Sequence, residues 1–254
     1  MFQTRKLLSG LALFVFFCVP AEATERHFTF TYEVFTADKG EVELENWMTW
    51  QSHHGRGSAP DTNEFDLRHE LEVGITDRFQ AALYLADWHV NDHPGGADRV
   101  HFDDAALELI YQLSNPVTDF LGSAIYGEVR GGPDFLELES KILLQKNFGK
   151  WVVAYNGTLE GRWTGEHLDE REGEFAQTAA VSYEVSPRFA VGAEALHEID
   201  LPNWDKAEKS IVWAGPNASV RCGHWYVTVT ALARLTDNRA EPWIQTRLIT
   251  GFEF

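Results

Sequence analysis

Cysteine is nearly absent from this sequence, with two in 254 residues. Cys18 sits in an apolar run close to the amino terminus, and loss of that run would leave Cys222 alone. A processed chain with one cysteine has no intramolecular disulfide. Its stability must then come from burial and closure of the fold rather than from covalent staples. Long apolar runs are missing as well. After residue 23 charges interrupt every hydrophobic stretch, which excludes a membrane-spanning helix but not a membrane-spanning strand. Positive charge is scarce, with 21 Lys and Arg against 39 Asp and Glu and a net charge of −18. That balance argues against a nucleic-acid partner, which needs a basic footprint. It also argues against attraction to an anionic lipid surface. Helical periodicity of 3.6 is sustained nowhere in the chain.

The first residues have the layout of a signal peptide. Arg5 and Lys6 form a basic start, Leu7 to Val19 is uncharged, Pro20 breaks the run, and Ala21-Glu22-Ala23 is a small-x-small cleavage pattern. Residues 1–23 are therefore expected to be removed, with the mature chain starting near Thr24.

From Glu41 onward the sequence alternates. Phe65-Asp66-Leu67-Arg68-His69-Glu70-Leu71-Glu72-Val73 places mostly apolar residues on odd positions and charged ones on even positions. A period of two sends the two sets to opposite faces of a strand. The same pattern recurs through Ala105–Leu113, Leu136–Gln145, Val153–Arg162, Val181–Val185, Phe189–Ala195 and Val227–Arg234. Pro216 interrupts Ser210–Arg221, where it marks a bulge or an unpaired position. The connections are of two kinds. Thr76–Arg78, Ser114–Asp119, Phe148–Lys150, Ser186–Arg188 and Cys222–His224 are short. Ser52–Asn63, Asn91–Arg99, Thr164–Glu172, Pro202–Lys209 and Thr236–Pro242 are longer and more polar, while Gly131–Asp134 is a short member of that second set.

Strands of about ten residues with short turns at one end and long loops at the other predict an all-β fold, an antiparallel up-and-down transmembrane β-barrel. Glu41–Gln51 is the first strand and Ile244–Phe254 the last, giving about 12 strands over residues 41–254. Aromatics at 13 %, with nine Trp, suit interfacial girdles. Residues 24–40 precede the first strand. His27–Phe35 alternates too, so this segment is a periplasmic extension, an inserted plug, or half of an extra pair that raises the count to 14. A soluble secreted β-sandwich that binds a ligand is the competing architecture.

The last eleven residues, Ile244 to Phe254, keep apolar side chains on alternate positions and end in Phe254. This segment resembles the carboxy-terminal strand that bacterial outer-membrane proteins present to their assembly machinery. The resemblance implies an outer-membrane location, insertion through that machinery by way of Phe254, and contact with outer-membrane lipid. Thr250 departs from the pattern, which favours an apolar residue there. Tyr32 followed by Lys39-Gly40-Glu41-Val42-Glu43-Leu44-Glu45-Asn46-Trp47 is similar to the opening of an uncharacterised porin-like family. That likeness implies no particular activity.

The alternation also assigns a lumen. The acids on the inward set are Glu43, Glu45, Asp66, Glu70, Glu72, Asp104, Glu108, Glu128, Glu137, Glu139, Glu160, Glu184, Glu194 and Glu198. The bases there are Arg68, Arg130, Lys141, Arg162, Arg221, Arg234 and Arg247. An acidic lumen favours cations or small polar solutes if it is open, and ion pairs that knit the wall if it is closed. A passive, porin-like channel is the leading expectation.

Two other chemistries are open to the same residues. His53, His54, His89, His93, His101 and His167, with Asp92, Asp98, Asp103 and Asp104, crowd the long-loop side, yet no metal-ligand spacing links them. They read as solvated loop residues. His69 and His197 fall on the outward face, where an imidazole is costly and a hydrolase of lipid or peptide is one explanation. No G-x-S-x-G is present. The pairs Gly95-Gly96 and Gly131-Gly132 open no helix and cradle no phosphate. No cofactor or catalytic residue is expected.

Overall fold

The computed structural model describes residues 26–55, 61–92, 99–238 and 241–254. The expected signal segment 1–23 lies outside them, as do His93, Asp98 and Gly95-Gly96. The strands are β1 (Val42–His53), β2 (Thr62–Thr76), β3 (Phe79–Asp92), β4 (Arg99–Phe102), β5 (Ala105–Ser114), β6 (Gly122–Gly132), β7 (Phe135–Phe148), β8 (Trp151–Thr164), β9 (Glu170–Ser186), β10 (Phe189–Pro202), β11 (Ile211–Cys222), β12 (Trp225–Arg234) and β13 (Ile244–Glu253). Every pairing is antiparallel, each long strand pairs with its neighbour, and β1 pairs with both β2 and β13. The twelve long strands thus close a ring. β4 stands outside it, paired with β3 alone from Trp88↔Phe102 to Asn91↔Arg99. The alternation gave no sign of β4, a four-residue return strand that begins where the expected loop Asn91–Arg99 ends.

Closure removes the free sheet edges that an open sheet of this size would expose. Turns at one end are tight, as at Asp77-Arg78, Gly149-Lys150, Pro187-Arg188 and Gly223-His224. Most connections at the other end are longer. Among the described residues, β11 carries the one proline in the interior of a long strand. Pro216 pairs with Ala193 on β10, but the β11–β12 ladder skips from Ala214↔Ala233 to Asn217↔Thr230. Proline has no N–H to offer there, and the interrupted ladder accommodates it.

The outer wall is apolar. Leu83, Leu107, Leu109, Ile125, Val129, Leu138, Ile142, Val153, Leu159 and Val191 are exposed on it. Among the described outward side chains of the ring strands, the charged ones are Lys146 and Arg171, each near a strand end. Trp151, Phe148, Phe189, Phe252 and Phe254 are exposed near the short-turn edge, and Trp88, Phe102, Trp204 and Trp243 near the other. An apolar band between two aromatic belts is what the hydrocarbon and interfacial layers of a bilayer solvate.

Residues 26–41 form no strand. This excludes the fourteen-stranded alternative. They fold back inside the barrel, on the short-turn half. Phe28 packs on Val152, Ala154 and Ala180. Phe30 packs on Leu196, Ile211, Trp213 and Leu232. Tyr32 and Val34 join Trp47, Ile110, Tyr126, Leu143 and Ile249. The segment returns to the wall at Gly40, whose N–H donates to the Gly74 carbonyl at 2.8 Å. Gly40 has φ +86°, a conformation that favours glycine. Gly74 is needed for closeness: a Cβ there would lie 1.9 Å from the Asp38 carbonyl oxygen.

Candidate functional site

The interior divides into a filled half and an open half. In the filled half, wall side chains bind the backbone of the internal segment. The Tyr32 amide donates to Asn156 Oδ1 (2.6 Å), the Val34 amide to Gln145 Oε1 (2.7 Å) and the Ala37 amide to Gln80 Oε1 (2.7 Å). Asn156 Nδ2 and Asn217 Nδ2 donate in turn to the carbonyls of Tyr32 and His27. A segment without a ladder of its own must find partners for its backbone polar groups. Here carboxamides on four different strands supply them. Glu194 supplies the charged partner, accepting the amides of Thr29, Phe30 and Thr31, each at 2.9 Å. Three successive N–H groups turned to one carboxylate form an anion-binding concavity.

The open half is a cavity of about 610 Å³ at the long-loop end. Its wall carries four arginines from four strands. Arg68 Nε reaches Asp87 Oδ1 at 3.0 Å, and its Nη2 reaches Oδ2 at 3.0 Å. Arg130 bridges Asp87 (3.1 Å), Glu128 (2.9 Å), Glu137 (3.3 Å) and Asp104 (3.6 Å). Arg162 meets Glu137 at 3.3 Å. Arg247 has no carboxylate in contact among the described residues. Its Nε donates to Thr49 Oγ1, its Nη1 donates to the Thr29 carbonyl, and its guanidinium lies 4.2 Å over Phe30. It therefore spans the boundary between cavity and plug. Asp104, between β4 and β5, is buried, and burial pushes its carboxyl up to about 6 against the opposing pull of Arg130. A second cavity, of about 360 Å³, lies beside Glu160, Glu172, Glu174 and Asp200.

The larger cavity collects Asp66, Arg68, Asp104, Arg130, Arg162 and Arg247 from the inward set expected of the sequence, with Glu128 and Glu137 held by Arg130 beside it. Glu139 pairs with Lys141 at 2.7 Å, and Lys141 lies over the rings of Tyr32 and Tyr126. Glu43, Glu45, Glu70, Glu72 and Glu108 are buried in the filled half. Glu184 lies 3.9 Å from His27 Nε2. Arg221 sits at the short-turn edge on the Pro187 carbonyl, and Arg234 at the opposite rim on the Thr236 and Glu241 carbonyls. No single-sign ring emerges from this arrangement among the described residues. Acids concentrate under the plug, and mixed charge lines the cavity.

The apolar wall residues that receive the plug were not expected from the sequence, whereas Glu194 was among the expected inward acids. Leu143, Leu196, Trp213, Leu232 and Ile249 occupy inward positions, where a water-filled lumen calls for polar side chains. Their signal was apolar residues on both parities of one strand, as in the run Ile142-Leu143-Leu144 of β7. Of the histidines read as loop residues, His53 and His89 lie instead on β1 and β3, and each forms a separate pair, His53 with Glu64 at 3.5 Å and His89 with Asp66 at 2.6 Å, while His54, past β1, meets Asp61 at 3.4 Å. The two outward histidines are satisfied across strands, His69 by Asn46 at 2.7 Å and His197 by Gln177 at 3.2 Å.

A family model described as a family of unknown function, DUF6662, matches residues 20–243. No curated protein matches the chain. An outer membrane channel from Pseudomonas putida F1 superposes with a TM-score of 0.62 at 14% identity, covering 87% of this chain and 98% of that one. The translocator domain of the autotransporter NalP from Neisseria meningitidis gives 0.55 at 14% identity, covering 86% and 90%. The NanC porin gives 0.53 at 9% identity, covering 84% and 98%. At such identities the likeness is one of fold, that of outer-membrane β-barrels.

Proposed function

This chain belongs to the DUF6662 family of unknown function, and we propose that it is an outer-membrane channel for small polar solutes, closed in this conformation by residues 26–38. The observation that carries the reading is the manner of closure. The plug is held by side-chain hydrogen bonds, the Arg26–Glu45 ion pair and three apolar clusters, not by strand pairing, so it can leave without opening the barrel wall. The cavity above it is large enough for a small solute. Its arginines and carboxylates offer donors and acceptors to a polar solute in transit.

The outward apolar band and aromatic belts support residence in the lipid of the outer membrane. The terminal strand supports recognition by the assembly machinery. Phe254 is exposed, and β13 is the strand that closes the ring against β1.

Planar-bilayer conductance tests the reading. The mature chain is expected to be silent or to flicker, and a variant lacking residues 26–38 is expected to conduct steadily. Silence from that variant, once shown to be a folded, heat-modifiable barrel, would leave a closed structural barrel as the answer.

A further inference from the structure

The filled half holds more acid than its visible partners neutralise. β1 and β2 pair Glu43 with Glu72 and Glu45 with Glu70, so four glutamates form a block on the inner wall. Like charges directly opposite each other on a sheet are destabilising. Glu108 joins them from β5. All five are buried, with Glu45 and Glu108 at 1% exposure and Glu70 at 0%.

Their partners are unevenly shared. Glu45 accepts Arg26 Nη1 at 2.8 Å, Trp47 Nε1 at 2.6 Å and the Tyr226 hydroxyl. Glu108 accepts the hydroxyls of Tyr84 (2.5 Å) and Tyr32 (3.1 Å). Glu72 accepts Gln80 Nε2 at 2.6 Å. Neither oxygen of Glu70 has a hydrogen-bond partner among the described residues. Arg26 contacts Glu45 and lies 4.0 Å from Glu72. The neighbouring cations are already engaged, Arg68 with Asp87 and Lys141 with Glu139.

A buried carboxylate with no donor is among the costliest groups a fold can hold. Glu70 points into a constellation with a definite geometry. One oxygen each from Glu45, Glu70 and Glu72 lies within 4.8 Å of the other two. Oxygens on one Ca²⁺ sit about 2.3–2.6 Å from the ion, so two of them can be about 5 Å apart across it. Three carboxylates beside one guanidinium leave two negative charges, the charge of one divalent cation.

We propose that Glu45, Glu70 and Glu72 bind a divalent, oxygen-seeking cation of the size of Ca²⁺. Water or further wall oxygens complete the six to eight ligands such an ion takes. Glu70 contributes the empty acceptor, directly opposite Glu45 and two residues before Glu72 on β2. Arg26, on the plug, supplies the remaining positive charge to Glu45. The cation and the plug therefore neutralise the same acidic block from two sides. The site does not depend on whether the barrel conducts.

The test uses the full mature chain, folded in detergent with Ca²⁺ or with a chelator and then desalted. Metal analysis is expected to find about one Ca²⁺ per barrel after the first treatment, the stoichiometry of a single three-carboxylate site. Tb³⁺ added to the chelated form is expected to luminesce on Trp excitation, because Trp47 touches a ligand, and excess Ca²⁺ should quench that signal. Glu70→Gln is expected to weaken Ca²⁺ at least about tenfold, the equivalent of 1.4 kcal/mol. If that variant gives no heat-modifiable barrel, Glu72→Gln carries the same expectation. A folded wild-type barrel with no retained Ca²⁺ and no Ca²⁺-sensitive Tb³⁺ signal overturns the proposal and places a proton on Glu70 instead. Wild-type affinity in Glu70→Gln overturns it too, by assigning the bound metal to the exposed acidic loops.

Discussion

Glu194 Oε2 accepts the Thr31 amide at 2.9 Å across 163 positions of sequence. The same carboxylate takes the amides of Thr29 and Phe30 and the hydroxyl of Thr230. Glu194 is thus the charged latch of the plug. The amides of Tyr32, Val34 and Ala37 go instead to neutral carboxamides of the wall.

Glu194→Ala should loosen the plug. A hydrogen bond to a charged group is worth about 1.5–3 kcal/mol, and three amides lose theirs at once. The variant barrel is expected to stay closed on itself as a ring and to conduct, in bilayers, far more often than the wild type. Faster amide exchange at Thr29–Thr31 would accompany the change.

Charge in the cavity should set selectivity once the plug is removed. Asp87 neutralises both Arg68 and Arg130. In the variant lacking residues 26–38, Asp87→Asn is expected to move the reversal potential under a salt gradient towards anions. An unchanged potential would place the selectivity-determining charge elsewhere in the barrel.

The outward face should reject charge. Leu109 lies midway along β5, exposed on the apolar wall. Leu109→Arg is expected to cost about 2–4 kcal/mol of folding stability in a bilayer, as cations at the midplane of barrels do. The same change at a cavity position such as Gln51 should cost much less. Urea titration of lipid-embedded protein compares the two.

Asp104 predicts a specific pH slope. Its folded carboxyl titrates at about 6 because it is buried, above the ordinary aspartate value of 3.8. Between those values the folded state holds a proton that the unfolded state has released. Stability contributed by this group is therefore complete below about 4 and lost as pH rises through about 6. Asp104→Asn should flatten the stability profile across that window, measured by urea unfolding at a series of pH values.

Much of this molecule was legible because a strand has a period of two. Phe65 to Val73 alternate so regularly that a barrel of about twelve strands follows from them and their like, and the tight turns at Asp77 and Gly149 mark one of its ends. The lumen residues Arg68, Arg130 and Arg247 followed from the same parity. His27–Phe35 was legible only as three alternatives, because alternation marks an extended segment and not the partner it finds. β4 was hidden because four residues are too few to show a period.

By itself, then, the sequence determined the barrel and its split between tight turns and long loops, since both depend on local alternation and on the spacing of turns. Only the tertiary structure decided what the inside contains. That Glu194 holds Thr31, that Trp213 receives Phe30, and that Glu45, Glu70 and Glu72 converge are contacts between strands, or between a strand and a segment far away in the chain. No local pattern encodes them, because closing the ring is what brings those side chains within reach.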